Sequence, residues 1–174
     1  MSLETSEEKD LDEEIISCPV CGRDAVRRER SVETWLGVIK IISITCQHCG
    51  YRHVDEILVE PREYGPEEII IHVRSQKDFR KYLFKSRSAL IELPQFGIEI
   101  FPGPDARDEI TTVEGVIERF IFRLETLCRD TEDPLRCQEI VNKLKKKIDE
   151  EDPDLLIIIR DPTRFSRIID IGSL

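Results

Sequence analysis

Six cysteines are the residues best placed to do chemistry in this chain of 174 residues, and four of them form two Cys-x-x-Cys pairs. Cys18 and Cys21 make the first pair, Cys46 and Cys49 the second, with twenty-four residues between Cys21 and Cys46. Two such pairs, joined by a hairpin, close opposite sides of a tetrahedral Zn²⁺ with Zn–S bonds of about 2.3 Å. Gly22 and Gly50 follow the second cysteine of each pair, where a turn with positive φ leaves amide groups aimed at the sulfurs. A redox Cys-x-x-Cys usually occurs singly and opens a helix, whereas strand-like sequence follows both pairs here. Two disulfides would call for an oxidising compartment, and the N-terminal residues do not have the pattern of a signal peptide. Four thiolates leave no open coordination position, so the expected single zinc is structural and metal-assisted hydrolysis is disfavoured.

The elements that must position these cysteines are short. Ala25 to Trp35 and Val38 to Thr45 read as two strands turning at Leu36-Gly37, and His53 to Glu60 as a third. Residues 15–60 therefore read as a zinc ribbon, a unit too small for a full core, with the metal standing in for one. Trp35, near the hairpin tip, is expected first as a core plug and second as an exposed contact residue. Arg23, Arg27, Arg28 and Arg30 are open to two readings, a nucleic-acid contact or a solvated face paired with Glu29 and Glu33; without interleaved aromatics the second is the simpler.

The formal net charge of −10 is concentrated at one end. Residues 1–14 hold seven acidic side chains against Lys9, and with so little apolar content they are expected to form a mobile acidic tail. The longest apolar runs fall far short of the roughly 20 residues a transmembrane helix needs, so a soluble, cytoplasmic protein is expected. The charged fraction of 36%, with 24 isoleucines, one asparagine and four glutamines, suits a thermophile.

From residue 61 the texture is that of a β-rich domain. Ile69 to Val73, Phe79 to Phe84, Ala89 to Leu93 and Ile98 to Phe101 read as strands separated by Pro and Gly turns. Thr111-Thr112-Val113-Glu114 reads as a capping box opening an amphipathic helix to about Cys128. Asp133-Pro134 caps a second helix, with Cys137, Val141, Leu144 and Ile148 on one face. This helical hairpin, at about residues 111–150, is bracketed by strands, since Leu155 to Arg160 and Phe165 to Ile171 return to strand character after Asp152-Pro153. It is therefore inserted in one domain, 61–174. Antiparallel packing brings Cys128 and Cys137 together; two buried reduced thiols are expected, with a disulfide as the alternative.

These motifs carry a resemblance. The two knuckles, then Asp78-Phe79-Arg80-Lys81-Tyr82-Leu83-Phe84-Lys85-Ser86, then Thr111-Thr112-Val113-Glu114-Gly115, then Asp161-Pro162 follow in the order of the ZPR-type zinc-finger family, from about Ile15 to Ile169. Lys81 stands where the family has arginine, and beyond Asp161-Pro162 only Ser166 keeps the family's Gly-Asn-Ser-type turn. One copy of the ribbon-plus-β module resembles the single-module archaeal form. The resemblance implies an α+β, mainly β fold in which a four-cysteine zinc ribbon precedes a double-stranded β-helix, jelly-roll-like, with an inserted helical hairpin. It also implies a non-enzymatic, zinc-binding protein-interaction module that binds translation elongation factor 1 alpha as a folding chaperone or assembly factor. A nucleic-acid-binding, transcription- or translation-associated ribbon is the alternative. On the family-type strand the implied partner-binding residues are Asp78, Lys81, Lys85 and Ser86, joined by Trp35 if it is exposed. His48, His53 and His72 have no nucleophile or phosphate-loop pattern beside them.

Overall fold

A computed structural model describes residues 9–151 and 153–170, which divide into two compact units, one ending at Glu63 and the other beginning at Tyr64. The first unit is one antiparallel sheet in the order β1-β2-β3-β4, built from β1 (Lys9–Ser17), β2 (Asp24–Thr34), β3 (Gly37–Thr45) and β4 (Arg52–Pro61). Three of these are the strands expected from β-branched content. The fourth, β1, corrects the acidic tail: residues 9–14 are strand, and residues 1–8 lie outside the described residues. Charge complementarity holds β1 where burial does not. Glu13 pairs across the ladder with Arg28 and Glu14 with Arg27, and the side chains follow, Arg28 Nε to Glu13 Oε2 at 2.8 Å and Arg27 to Glu14 at 3.5 Å. Acidity that reads as disorder on its own is thus matched by a basic strand beside it.

The second unit contains β5 (Glu68–Val73), α1 (Gln76–Phe79), β6 (Tyr82–Lys85), β7 (Leu90–Leu93), β8 (Ile98–Ile100), β9 (Glu109–Thr112), α2 (Val113–Leu127), α3 (Pro134–Asp149), β10 (Leu155–Arg160) and β11 (Arg167–Ile169). Its strands form two sheets, ordered β5-β10-β7-β8 and β11-β6-β9. The chain is therefore mainly β with a helical hairpin. The hairpin is an insertion in the topological sense, because β10, which follows it, lies between β5 and β7, and β11 joins β6. Alternate residues of β5 and β10 face inward together: Ile69, Ile71 and Val73 stand opposite Ile159, Ile157 and Leu155, all at most 7% exposed. They share one buried cluster with Leu93 of β7, with Val113, Ile117, Phe120 and Leu124 of α2, and with Val141 and Leu144 of α3.

Four local expectations change. Phe79 to Phe84 is not one strand: Ser75 and Asp78 form a reciprocal capping box, so α1 occupies the front half and buries Phe79. The cap of α2 is Thr112, whose hydroxyl accepts from Gly115 N at 3.1 Å, while Thr111 is still in β9 opposite Leu83; no Thr111–Glu114 box forms. A Cβ at Gly115 would lie 2.5 Å from Thr111 Oγ1, so the close approach of helix and strand explains the glycine of that motif. Strand β11 is only Arg167–Ile169, with Phe165 and Ser166 held in a turn, and both Ile171 and Asp152 lie outside the described residues. Finally, Cys128 and Cys137 are joined by a disulfide across the α2–α3 connection, Cα atoms 5.4 Å apart, which overturns the expected reduced pair. Among the described residues no helix is long and apolar enough to cross a membrane.

Candidate metal centre

The two knuckles are built alike. Cys18 N donates to Arg23 O (2.7 Å) and Gly22 N returns to Cys18 O (2.9 Å); in the second, Cys46 N donates to Tyr51 O (2.9 Å) and Gly50 N to Cys46 O (3.0 Å). Gly22 and Gly50 sit at φ of 71° and 75°, the left-handed region where a side chain is strained, which is why each knuckle closes on glycine. The first cysteine of each pair is buried and the second exposed. Ala25, Ile16, Ile44 and Tyr51 pack around Cys18 and Cys46, closing the inner side of the site.

All four sulfurs lie within 4.8 Å of one another, with Cys18 to Cys49 and Cys21 to Cys46 each at 3.7 Å. Four ligands at the Zn–S distance would be about 3.8 Å apart along every tetrahedral edge. The donor set therefore fits one zinc ion, closed on all sides by sulfur. The thiols differ in their electrostatic surroundings. At Cys18 burial opposes the thiolate, but the Cys21 and Val20 amides directed at its sulfur outweigh it and bring the thiol down to about 7. At Cys21 the Arg23 amide favours ionisation, yet desolvation and the neighbouring Cys49, Cys46 and Cys18 push it up to about 12. A divalent ion held among the four sulfurs would favour the thiolate form of each.

The basic cluster beside the knuckles is partly neutralised by neighbouring carboxylates. Arg27 pairs with Glu14 and Glu29, Lys40 with Glu29, and Arg28 with Glu13. His53 stacks on Tyr51 with ring planes 4° apart rather than joining the sulfurs. Trp35 is 41% exposed, so the core-plug expectation fails: at a hairpin tip nothing in the single-layered first unit encloses it.

The residues of the family-type strand do not form one surface. Asp78 Oδ2 accepts from Arg74 N, Ser75 N and Ser75 Oγ, each at 3.0 Å, and its other oxygen meets Lys81 Nζ at 2.7 Å. The Lys81 contact, then the Arg74 amide, hold its carboxyl down to about 2. Lys81 is half exposed, whereas the Lys85 side chain is 12% exposed and its ammonium reaches Ser86 O, Arg107 O and Glu109. Ser86 is 1% exposed, which takes it out of reach of any partner of the folded chain.

What Ser86 does touch is a buried network centred on Asp161, which motif reading noted without assigning a role. The Asp161 carboxylate, 1% exposed, accepts from Thr163 N and Oγ1, Phe165 N, and Ser166 N and Oγ, and Ser166 Oγ in turn accepts from Ser86 N at 3.0 Å. Burial alone would raise its pKa, but the Thr163 and Ser166 donors outweigh burial and hold it below the ordinary value. The residues kept in the Lys-Ser and Asp-Pro motifs thus tie the turn after β10 to the end of β6.

Comparison with known proteins agrees with this geometry. The family model of the ZPR1 jelly-roll domain matches residues 77–172. A ZPR1-like protein of Methanocaldococcus jannaschii is 33% identical over 90% of this chain and 81% of its own length, and one of Pyrococcus horikoshii is 29% identical over 87% and 71%. The zinc finger chaperone zpr1 of Schizosaccharomyces pombe is 24% identical over 60% of this chain and 22% of its own length.

Proposed function

The chain belongs to the ZPR1 family, and from that premise we propose that it is a zinc-holding protein-binding factor, a chaperone or assembly factor for translation elongation factor 1 alpha. The observation that carries this reading is a metal site closed by four sulfurs in a relative of a zinc finger chaperone. Zinc held by Cys18, Cys21, Cys46 and Cys49 supplies no open position for substrate; it ties two turns together and stiffens the sheet between them. The chain then works by capture, in the cytoplasm, with no catalytic step. A rigid knuckle tip bearing the exposed Val20, and the edge strands β1 and β4 of the first sheet, offer apolar contact and main-chain hydrogen bonds to unpaired strands of an incompletely folded client. Trp35 and Lys81 are the residues of the sequence-derived set exposed enough to touch it; Asp78, Lys85 and Ser86 support the jelly-roll unit instead.

Immobilised protein tests this directly. Elongation factor released from translation should be retained before it reaches its native, nucleotide-binding state, and Trp35→Ala should weaken retention with the metal content unchanged. Retention of nucleic acid alone, lost steeply as salt rises, would overturn the proposal in favour of a nucleic-acid-binding ribbon.

A further inference from the structure

The second unit contains a cavity of about 240 Å³ that the metal centre does not use. Ala89, Ile91, Ile100, Val116 and Phe120 line it, side chains from β7, β8 and α2 and the residue just before β7. These side chains are all apolar. The rim is of opposite character. Lys85, Arg107, Arg119 and Arg123 converge there against Asp105 and Glu109, a local excess of two positive charges in a chain whose net charge is −10.

The pairing is unequal. Glu109 is already shared between Lys85 and Arg119. Among the described residues neither Arg107 nor Arg123 has a carboxylate within salt-bridge reach of its guanidinium. Burial lowers the pKa of Lys85, and the nearby cations Arg119 and Arg123 lower it further. An apolar pocket with surplus guanidinium at its mouth suits an anion with an apolar body. A single carboxylate has the planar, two-oxygen geometry that a guanidinium engages, and it leaves the rim with one positive charge in excess beside Glu109 and Asp105.

We propose that the jelly-roll unit binds an apolar monocarboxylate in this cavity, its body against Ile91 and Phe120 and its carboxylate on Arg123 and Arg107. This chemistry is shared by a free aliphatic or aromatic acid and by the C-terminal residue of a peptide, and the site operates independently of the metal centre.

The test titrates zinc-loaded, full-length protein with 3-phenylpropionate, followed by calorimetry and amide chemical shifts. Saturable 1:1 binding is expected, with shifts clustered on β7, β8 and the first half of α2. The alcohol 3-phenylpropanol should bind at least about tenfold more weakly, as should the acid to Arg123→Gln, since a charge-assisted hydrogen bond is lost in each case. Arg123→Lys should recover part of the loss, Ala89→Leu should abolish binding by filling the cavity, and Lys146→Gln, which removes a cation from α3, should change nothing. A short peptide ending in phenylalanine with a free carboxylate, run beside its amide, separates the sources. Peptide binding that depends on the free carboxylate and on Arg123 assigns the site to a partner's C-terminus; binding of the small acid alone assigns it to a free metabolite. No saturation by acid or peptide at 10 mM, on the order of the weakest specific affinities, or equal binding of acid and alcohol, overturns the proposal.

Discussion

The two units hold their strands with different material. Around the metal ligands of the first, the buried cluster is Cys18, Ala25 and Cys46, with Ile16, Ile44 and Tyr51 only partly covered. Every residue of its central strand β3 after Gly37 is half-exposed. In the second unit, twenty buried residues, drawn chiefly from three helices and four strands, form one cluster, where each fully buried Leu, Ile or Phe contributes about 1.5–3 kcal/mol. The contrast teaches that the first unit has little apolar burial of its own, so its folding is expected to depend on an ion, whereas that of the second is not. The client-binding surface proposed above lies mostly on the conditional unit.

The hardest blow to the contrast is metal removal. Chelation, or Cys46→Ser with Cys49→Ser, should remove on the order of 10 kcal/mol of metal-linked folding energy from the first unit. Hydrogen exchange should then show β2 and β3 losing protection while β5, β7 and β10 keep theirs; unchanged protection of β2 and β3 would mean that the first unit folds without metal. Next in size, Ile157→Ala, at a residue 1% exposed in β10, should cost the second unit about 2–5 kcal/mol and leave zinc stoichiometry alone. Reducing the Cys128–Cys137 bridge, which closes a sequence separation of nine, should cost about 2–3 kcal/mol. Thiol counting on the unfolded, zinc-stripped, unreduced chain should give four, and six would remove the bridge.

The smallest effect is acid sensitivity of the second unit. Asp78 and Asp161 both have pKa values held below the ordinary carboxylate range, so the folded state favours the ionised form. Their contribution is present above about pH 4 and is lost as pH falls, for Asp78 down to about 2. After solvent screening Asp78 accounts for about 1 kcal/mol, and Asp78→Asn should flatten the fall in stability between pH 5 and 2 by that amount. An unchanged acid limb would show that Asp78 does not contribute to it.

The four-cysteine cluster was legible because a Cys-x-x-Cys-Gly knuckle is local: five residues specify the turn, the amides and the sulfurs. The order of strands around the hairpin was legible for the same reason, since apolar alternation in β5 and β10 is written into each segment. What escaped depends on residues far apart. β1 is stabilised by arginines more than a dozen positions away, so its composition alone points to disorder. Ser86 passes for a surface residue of a polar motif until Ser166, eighty positions on, is brought against it. Trp35 was misplaced because hydrophobicity suggests burial only where a second layer exists to provide it.

The position of β10 has a consequence for synthesis on the ribosome. β5 and β7 are made early, yet the strand that separates them emerges only after the whole helical hairpin; Glu68 meets Arg160 across 92 positions. Until then the two strands lack the partner that joins them, and the central sheet cannot close. The first unit is under no such delay, since its four cysteines have all emerged by residue 49 and its last strand by residue 61. Vectorial translation therefore favours a metal-bearing head that matures while the second unit still waits for a strand that begins only at residue 155 of 174, and a stop codon anywhere before Leu155 would release that head attached to an unfinished sheet.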